Sequence, residues 1–449
     1  MNKKTFYIES LGCKVNQYES DGIAANLEAH GFSRVDKGCP ADICIINTCA
    51  VTSRAGMQSR QETRKLIREN PDATVIVTGC HAQTDPEQVK KISGVDLIVC
   101  HQDKNLIPEY LVQNPPEKDL FAFRKPEYGK GACFAQFAEA DHPVSGKMTR
   151  AYLKIQDGCN QFCTYCIIPY ARGTSVSMPF DQVMAHVSGL SRQGFKEVIL
   201  TGIHTGLYGQ DLNPETSLTQ LVKTLDEKRL VDQIRISSIE PNEITDALIP
   251  MARPGHILCD HFHIPLQSGD NGVLSRMKRP YTVEQFSDII HSIHSTLPHA
   301  GIGLDVIMGF PGETDKSFEN TYKLVEGLPV SYLHVFPYSP RKGTPAWHFI
   351  PKVSSAAAKK RAAQMRGLGE QKHEDFIKAN QGRVLRGLIQ NQRDSRTGML
   401  KAVTTNYLTV FIKNEKDVSE NPDNLKGEIV NIKFDQLGNG CGLLGRIIP

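Results

Sequence analysis

The chain runs to 449 residues, too many for a single hydrophobic core, and this length predicts two to four domains. Its composition, 40% hydrophobic and 22% charged, is ordinary for a globular protein, with neither an apolar leader after Met1-Asn2-Lys3-Lys4-Thr5 nor any run of about 18 apolar residues, so a cytosolic chain without a membrane segment is expected. The formal net charge of +3 divides unevenly: residues 351–449 hold 17 Lys and Arg against 10 Asp and Glu, net +7, and residues 1–350 sum to −4, so the basic final quarter favours a polyanionic partner such as RNA.

Twelve cysteines in a large chain of this kind point to metal or redox chemistry rather than disulfides. In the first third, short apolar runs alternate with helical patterns. Thr5-Phe6-Tyr7-Ile8, Ile43-Cys44-Ile45-Ile46, Thr74-Val75-Ile76-Val77 and Asp96-Leu97-Ile98-Val99 read as strands. Between them lie a helix burying Ile23 and Leu27 and a basic helix around Arg60, Arg64, Lys65 and Arg68. The alternation predicts a parallel sheet with right-handed crossovers. Cys13, Cys49 and Cys80 fall in the loops leaving the first three strands, at the sheet edge where ligand sites of open α/β folds form. Small buried residues are one reading of them; recurrence at the same point in three successive units favours a shared metal site. Cys44 reads as core and Cys39 as loop. Cys100, also at a strand end, is a rival ligand, and Cys133, Cys259 and Cys441 match no ligand pattern. The flanks Gly12-Cys13-Lys14-Val15-Asn16-Gln17 and Asn47-Thr48-Cys49-Ala50-Val51-Thr52 resemble the N-terminal domain of methylthiotransferases. That resemblance implies an auxiliary [4Fe-4S] cluster on Cys13, Cys49 and Cys80.

Periodicity fails from Asn114 to Lys147, where Pro115-Pro116, Pro126, Gly129 and Gly131 predict a connecting segment. After the strand-like Ala151-Tyr152-Leu153-Lys154-Ile155, the loop Cys159-Asn160-Gln161-Phe162-Cys163-Thr164-Tyr165-Cys166 places three cysteines in a C-x3-C-x2-C pattern with no fourth ligand nearby. Three thiolates suit a soft metal, and an irregular zinc knuckle or a plain electron-transfer cluster would also use them. The spacing resembles the signature of the radical S-adenosylmethionine (SAM) superfamily. The resemblance implies a [4Fe-4S] cluster whose open iron binds SAM, a 5′-deoxyadenosyl radical formed by SAM cleavage, and the Tyr165 backbone near the adenine. Five further strand-like runs follow, ending in Gly202-Ile203-His204, Ser238-Ile239-Glu240-Pro241, Pro265-Leu266-Gln267-Ser268-Gly269, Gly309-Phe310-Pro311-Gly312-Glu313-Thr314 and Pro337-Tyr338-Ser339. Six β/α units are too few to close an eight-unit barrel, so an open partial barrel is expected, with its chemistry at the strand C-termini. Glu240, Gln267, Ser268 and Asp305 are the candidate SAM-pocket residues, although such runs also occur as plain turns. His204, His261 and His263 are left unassigned.

Residues 354–378 read as a helix with Lys359, Lys360, Arg361 and Arg366 along one side, either solvated or facing phosphates. Short β runs then follow at Val384 to Ile389, Tyr407 to Ile412 and Glu428 to Phe434, as in a small all-β barrel. This tail resembles the TRAM domain of RNA-modifying enzymes, whose groove suits nucleic acid.

The fold class expected is α/β: an N-terminal open parallel domain (1–113), a linker (114–147), a central partial (β/α)6 radical SAM barrel (148–378) and a C-terminal TRAM-like barrel (379–449). Resemblance throughout implies a methylthiotransferase with two [4Fe-4S] clusters and SAM. Its motifs are most similar to the branch acting on N6-threonylcarbamoyladenosine beside the tRNA anticodon. The branches acting on isopentenyladenosine or on a ribosomal-protein aspartate are the alternatives, and a non-catalytic iron–sulfur RNA-binding protein is the alternative of another class. The expected partners are the tRNA anticodon stem-loop and a reductant protein, with a monomeric chain.

Overall fold

The computed structural model describes residues 3–113, 120–122, 134, 148–414, 418, 421–438 and 442–449. Most of the segment 114–147, with Cys133, and residues 439–441, with Cys441, lie outside these residues.

The first sheet has six parallel strands: β1 (Thr5–Ser10), β2 (Ser33–Arg34), β3 (Ile43–Thr48), β4 (Thr74–Gly79), β5 (Leu97–Val99) and β6 (Leu120–Ala122). They are ordered β2-β1-β3-β4-β5-β6. The four strands expected from the apolar runs are present, the first three running two residues further and the fourth starting one residue later, at Leu97. The short edge strands β2 and β6 carry too little pattern to be read, and β6 falls inside the segment expected to be a connector. Strand order reverses between β1 and β3, so the loops leaving these two strands diverge and open a crevice, the usual ligand site of such sheets. Ile23, Ala24 and Leu27 of the helix Lys14–Ala29 pack on one face against Phe6, Ile8 and Ile45. Leu66 covers the other face with Cys44, Ile46 and Val77.

Six parallel strands form the central domain: β7 (Ala151–Lys154), β10 (Glu197–Thr201), β11 (Gln233–Ile236), β12 (His261–Gln267), β13 (Gly301–Met308) and β14 (Tyr332–Pro337). The intervening β8 (Gln156–Asp157) and β9 (Val176–Ser177) make a small antiparallel pair beside the cysteine loop. Hydrogen bonds group the six as β7-β10-β11 and β12-β13-β14, and the Ile234–Leu258 bridge and Ile239 N donating to His263 O join the halves into one curved, open wall. One apolar core runs through both halves, from Leu153, Val198 and Ile234 to Phe262, Leu304 and Val306. The helix Ser355–Ala379 closes its side through Ala362 and Met365. Arg361 shares that buried face and pairs with Glu313 and Asp315, so it leaves the exposed basic side expected for it, while Lys359, Lys360 and Arg366 stay exposed.

The C-terminal strands β15 (Val384–Ile389), β16 (Lys401–Thr404), β17 (Thr409–Ile412), β18 (Ile429–Gly438) and β19 (Gly442–Ile448) close a barrel in the order β15-β16-β17-β19-β18. The apolar runs indicate three of the five. It docks on the central domain through Arg235, whose guanidinium donates to the carbonyls of Thr404 (3.1 Å) and Thr405 (2.9 Å), and through Asn406 Nδ2, which donates to His299 O. No helix among the described residues is long and apolar enough to cross a membrane.

Candidate active site

Both cysteine trios open on one cavity of about 770 Å³, lined by Cys13, Cys49, Cys80, Cys159, Cys163 and Cys166. Within each trio every pair of thiols is close enough to interact electrostatically. Neither trio brings its three sulfurs within 4.8 Å of one another, the spacing a single ion would need. Three thiols at this wider spacing fit a multi-iron cluster better than zinc. Burial pushes Cys49 up to about 11 and Cys166 up to about 12. Soft metal, rather than solvent, is therefore what would hold these groups as thiolates.

Local sequence explains the approach of Cys13 to Cys49. Gly12 sits at φ +102°, and a Cβ there would fall 2.7 Å from Cys49 Cβ. Gly79, at φ +96°, lies against the Thr48 backbone, where a Cβ would stand 2.4 Å from both N and O. Glycine alone lets these turns approach so closely. Asn16 fastens the same crossing, its Nδ2 donating to Leu11 O at 2.7 Å and Thr48 O at 3.0 Å.

Behind the N-terminal trio lies a buried charge network that sequence reading missed. Arg172 donates from Nε to Cys80 Sγ (3.3 Å), from Nη1 to Glu19 (2.8 Å) and Asp157 (2.9 Å), and from Nη2 to Asn16 Oδ1 (2.8 Å). Lys104 and Lys154 also donate to Glu19, and Lys154 to Asp157. Burial alone would raise the Glu19 carboxyl, but Arg172, Lys104 and Lys154 outweigh it and hold it well below the usual carboxylate range. Burial, reinforced by Arg172 and Lys104, pushes His101 down to about 4, so this ring is neutral. The network joins the first sheet to the barrel. Its early signal is Glu19, which occupies a buried position in the repeat Val15, Glu19, Ile23 of its helix.

The central trio has its own cationic partner, since Arg279 Nη1 donates to Cys163 Sγ at 3.2 Å and Arg279 also pairs with Glu240. His204 Nδ1 lies 3.4 Å from Cys159 Sγ, and its Nε2 lies 2.6 Å from Glu243. Tyr165, Glu240, Gln267 and Asp305 all line the cavity. Tyr165 packs edge-on against Phe310. Ser268 is absent from the cavity wall: it is 1% exposed, and its Oγ meets Thr321 Oγ1 at 3.4 Å. Gln267 ends its strand at φ +63°, and the chain turns there, carrying Ser268 away from the cavity and onto Thr321. Cys100 is likewise absent from the wall, its Sγ donating to Asp103 Oδ2 at 3.0 Å. Asp305 Oδ1 lies 2.9 Å from His263 Nε2 and 3.3 Å from His334 Nδ1. Tyr332 Oη sits between His261 (2.8 Å) and His263 (3.1 Å). Tyr407 of the C-terminal barrel stacks on His261 with ring centroids 4.2 Å apart. Lys14 lines the cavity too, its ammonium pushed down to about 8 by burial and by Arg150 and Arg235.

Comparison with known proteins agrees with this geometry. Residues 5–100 match the model for uncharacterized protein family UPF0004, and residues 153–325 match the radical SAM superfamily. A radical SAM enzyme uses a [4Fe-4S] cluster and SAM. The chain is 38% identical to the threonylcarbamoyladenosine tRNA methylthiotransferase MtaB of Bacillus subtilis, over 97% of this chain and 94% of that one. It is 34% identical to the MtaB of Aquifex aeolicus, over 92% and 97% of the two chains. Identity to the tRNA-2-methylthio-N(6)-dimethylallyladenosine synthase of Natranaerobius thermophilus is 30%, over 99% and 97%. Among solved structures, the radical SAM methyltransferase TsrM of Kitasatospora setae is similar with a TM-score of 0.57 and 12% identity, covering 77% of each chain, a likeness of fold alone. With its two thiol trios on one chamber and relatives of this identity along nearly its whole length, the chain belongs to the methylthiotransferase family of radical SAM enzymes.

Proposed function

We propose that the protein adds a methylthio group to N6-threonylcarbamoyladenosine beside the anticodon of tRNA. The observation that carries this reading is the shared cavity, because joining a sulfur group to an unactivated carbon requires both reaction centres to reach one substrate atom. Cys159, Cys163 and Cys166 would hold the [4Fe-4S] cluster that takes SAM, and Cys13, Cys49 and Cys80 would hold a second. Once bound, these groups supply the radical and sulfur chemistry, which acid–base side chains cannot deliver at a non-acidic C–H bond.

The chain's own residues bind, orient and shield. Arg279 and Arg172 each place a guanidinium on one sulfur of a trio, lowering the cost of gathering three thiolates. Tyr165, Glu240, Gln267 and Asp305, which line the cavity, would hold SAM, while Ser268 supports the turn from behind. Asp305 is held ionised, since His263 and His334 outweigh the effect of its burial, and so it serves as an acceptor for hydroxyl groups. The aromatic wall of Tyr332, His261 and Tyr407 excludes water from the chamber. The C-terminal barrel grips the anticodon stem-loop through phosphate contacts, and an external protein reductant supplies electrons.

Mass spectrometry of tRNA nucleosides from cells lacking the protein tests this reading. The methylthio form of threonylcarbamoyladenosine disappears while its precursor accumulates. Loss of methylthio-isopentenyladenosine instead would move the chain to the other tRNA branch.

A further inference from the structure

Among the described residues, the Lys14 ammonium has no hydrogen-bond acceptor within 3.5 Å and no carboxylate within 4.0 Å, although it stands in the wall of the reaction cavity. Its electrostatic neighbours are Arg150 and Arg235, with His261 across the chamber and Glu197 as the acid. Glu197 is already engaged: Arg235 Nε donates to it at 3.0 Å, and Arg150 Nη1 lies 3.7 Å away. Three cations therefore share the Glu197 carboxylate, and of these Lys14 is the one that lines the cavity. Such an arrangement is costly in an empty pocket, and an anionic ligand relieves it.

We propose that Lys14 receives the carboxylate of the threonylcarbamoyl group and thereby selects this substrate over adenosines with an uncharged N6 substituent. The inference rests on the reading of the substrate given above and names the residue that enforces it. A threonyl group carries one carboxylate, whereas a dimethylallyl group carries no charge. An unpaired cation in the wall complements the first and penalises the second. Lys14 follows Cys13 directly, so an anion held there keeps the adenine against the N-terminal trio. A phosphate of the RNA backbone would satisfy the same cation, and the test separates the two sources.

The reconstituted enzyme is assayed on an anticodon stem-loop RNA bearing threonylcarbamoyladenosine and on the same RNA with the threonyl carboxylate converted to a carboxamide. Wild type is expected to favour the carboxylate RNA in kcat/KM by about 30-fold or more, mainly through KM. Lys14→Gln removes most of that preference, and Lys14→Arg keeps it. Equal wild-type rates on the two RNAs would overturn the inference without any variant. So would a Lys14→Gln protein that loses the same factor on both RNAs, which is the signature of a phosphate contact. A wild-type enzyme inactive on both RNAs but active on an isopentenyladenosine RNA would overturn the substrate reading itself, and the Lys14 inference with it.

Discussion

Arg172 Nε donates to Cys80 Sγ over 3.3 Å, although the two residues are 92 positions apart and belong to different domains. The barrel thus supplies a cation to the thiol trio of the neighbouring sheet, and the rest of that guanidinium neutralises Glu19 and Asp157.

Removing this cation leaves two buried carboxylates with Lys104 and Lys154 as their cationic partners. Arg172→Met should lower unfolding free energy by about 3–5 kcal/mol, the usual cost of breaking one side of a buried pair. Urea denaturation reads the loss, and Arg172→Lys should recover part of it. Iron bound after anaerobic reconstitution should fall in Arg172→Met even where the protein remains folded.

At Gly12 the constraint is steric. Gly12→Ala forces a side chain into φ +102° and against Cys49. A cost of about 1–3 kcal/mol is expected from the strained backbone, and Cys49 must shift as well. Iron and sulfide analysis should show loss of one cluster's worth, with the other retained.

Single cysteine substitutions separate the two trios by product. Cys13→Ala should abolish methylthio transfer and remove about half the iron. Cys159→Ala should remove 5′-deoxyadenosine formation as well. Methylthio product from Cys13→Ala would count against the second cluster.

His101 makes stability depend on pH. Its ring, which ordinarily titrates near 6.5, is pushed down to about 4 in the folded chain. The unfolded chain therefore binds a proton between those values that the folded chain refuses, and stability falls as pH drops from about 6.5 toward 4. The contribution is roughly 3 kcal/mol at the acid end. His81, also pushed down to about 4, acts in the same direction. His101→Gln should flatten the fall in melting temperature between pH 6.5 and 4.5. An unchanged slope would count against the neutral buried ring.

Which parts were legible in the sequence follows from how each is encoded. The thiol trios could be read because Cys13, Cys49 and Cys80 recur at strand ends and because Cys159, Cys163 and Cys166 are close in sequence. Arg172 could not, since its partners Glu19 and Asn16 lie 153 and 156 positions away and a charged residue is surface by default. Arg361 reads as part of a basic face because charge alone does not reveal the burial period of its helix. Strands β16 and β19 were missed for want of pattern, one being four residues long and the other carrying Gly442 and Gly445.

Tyr407 holds φ +74° on the C-terminal barrel and presses its ring against His261 inside the chamber. The module expected to grasp RNA therefore also supplies part of the cavity wall. Cutting the chain near residue 379 would do more than weaken affinity: it would unseal the vessel, and SAM would be spent in turnovers that modify nothing.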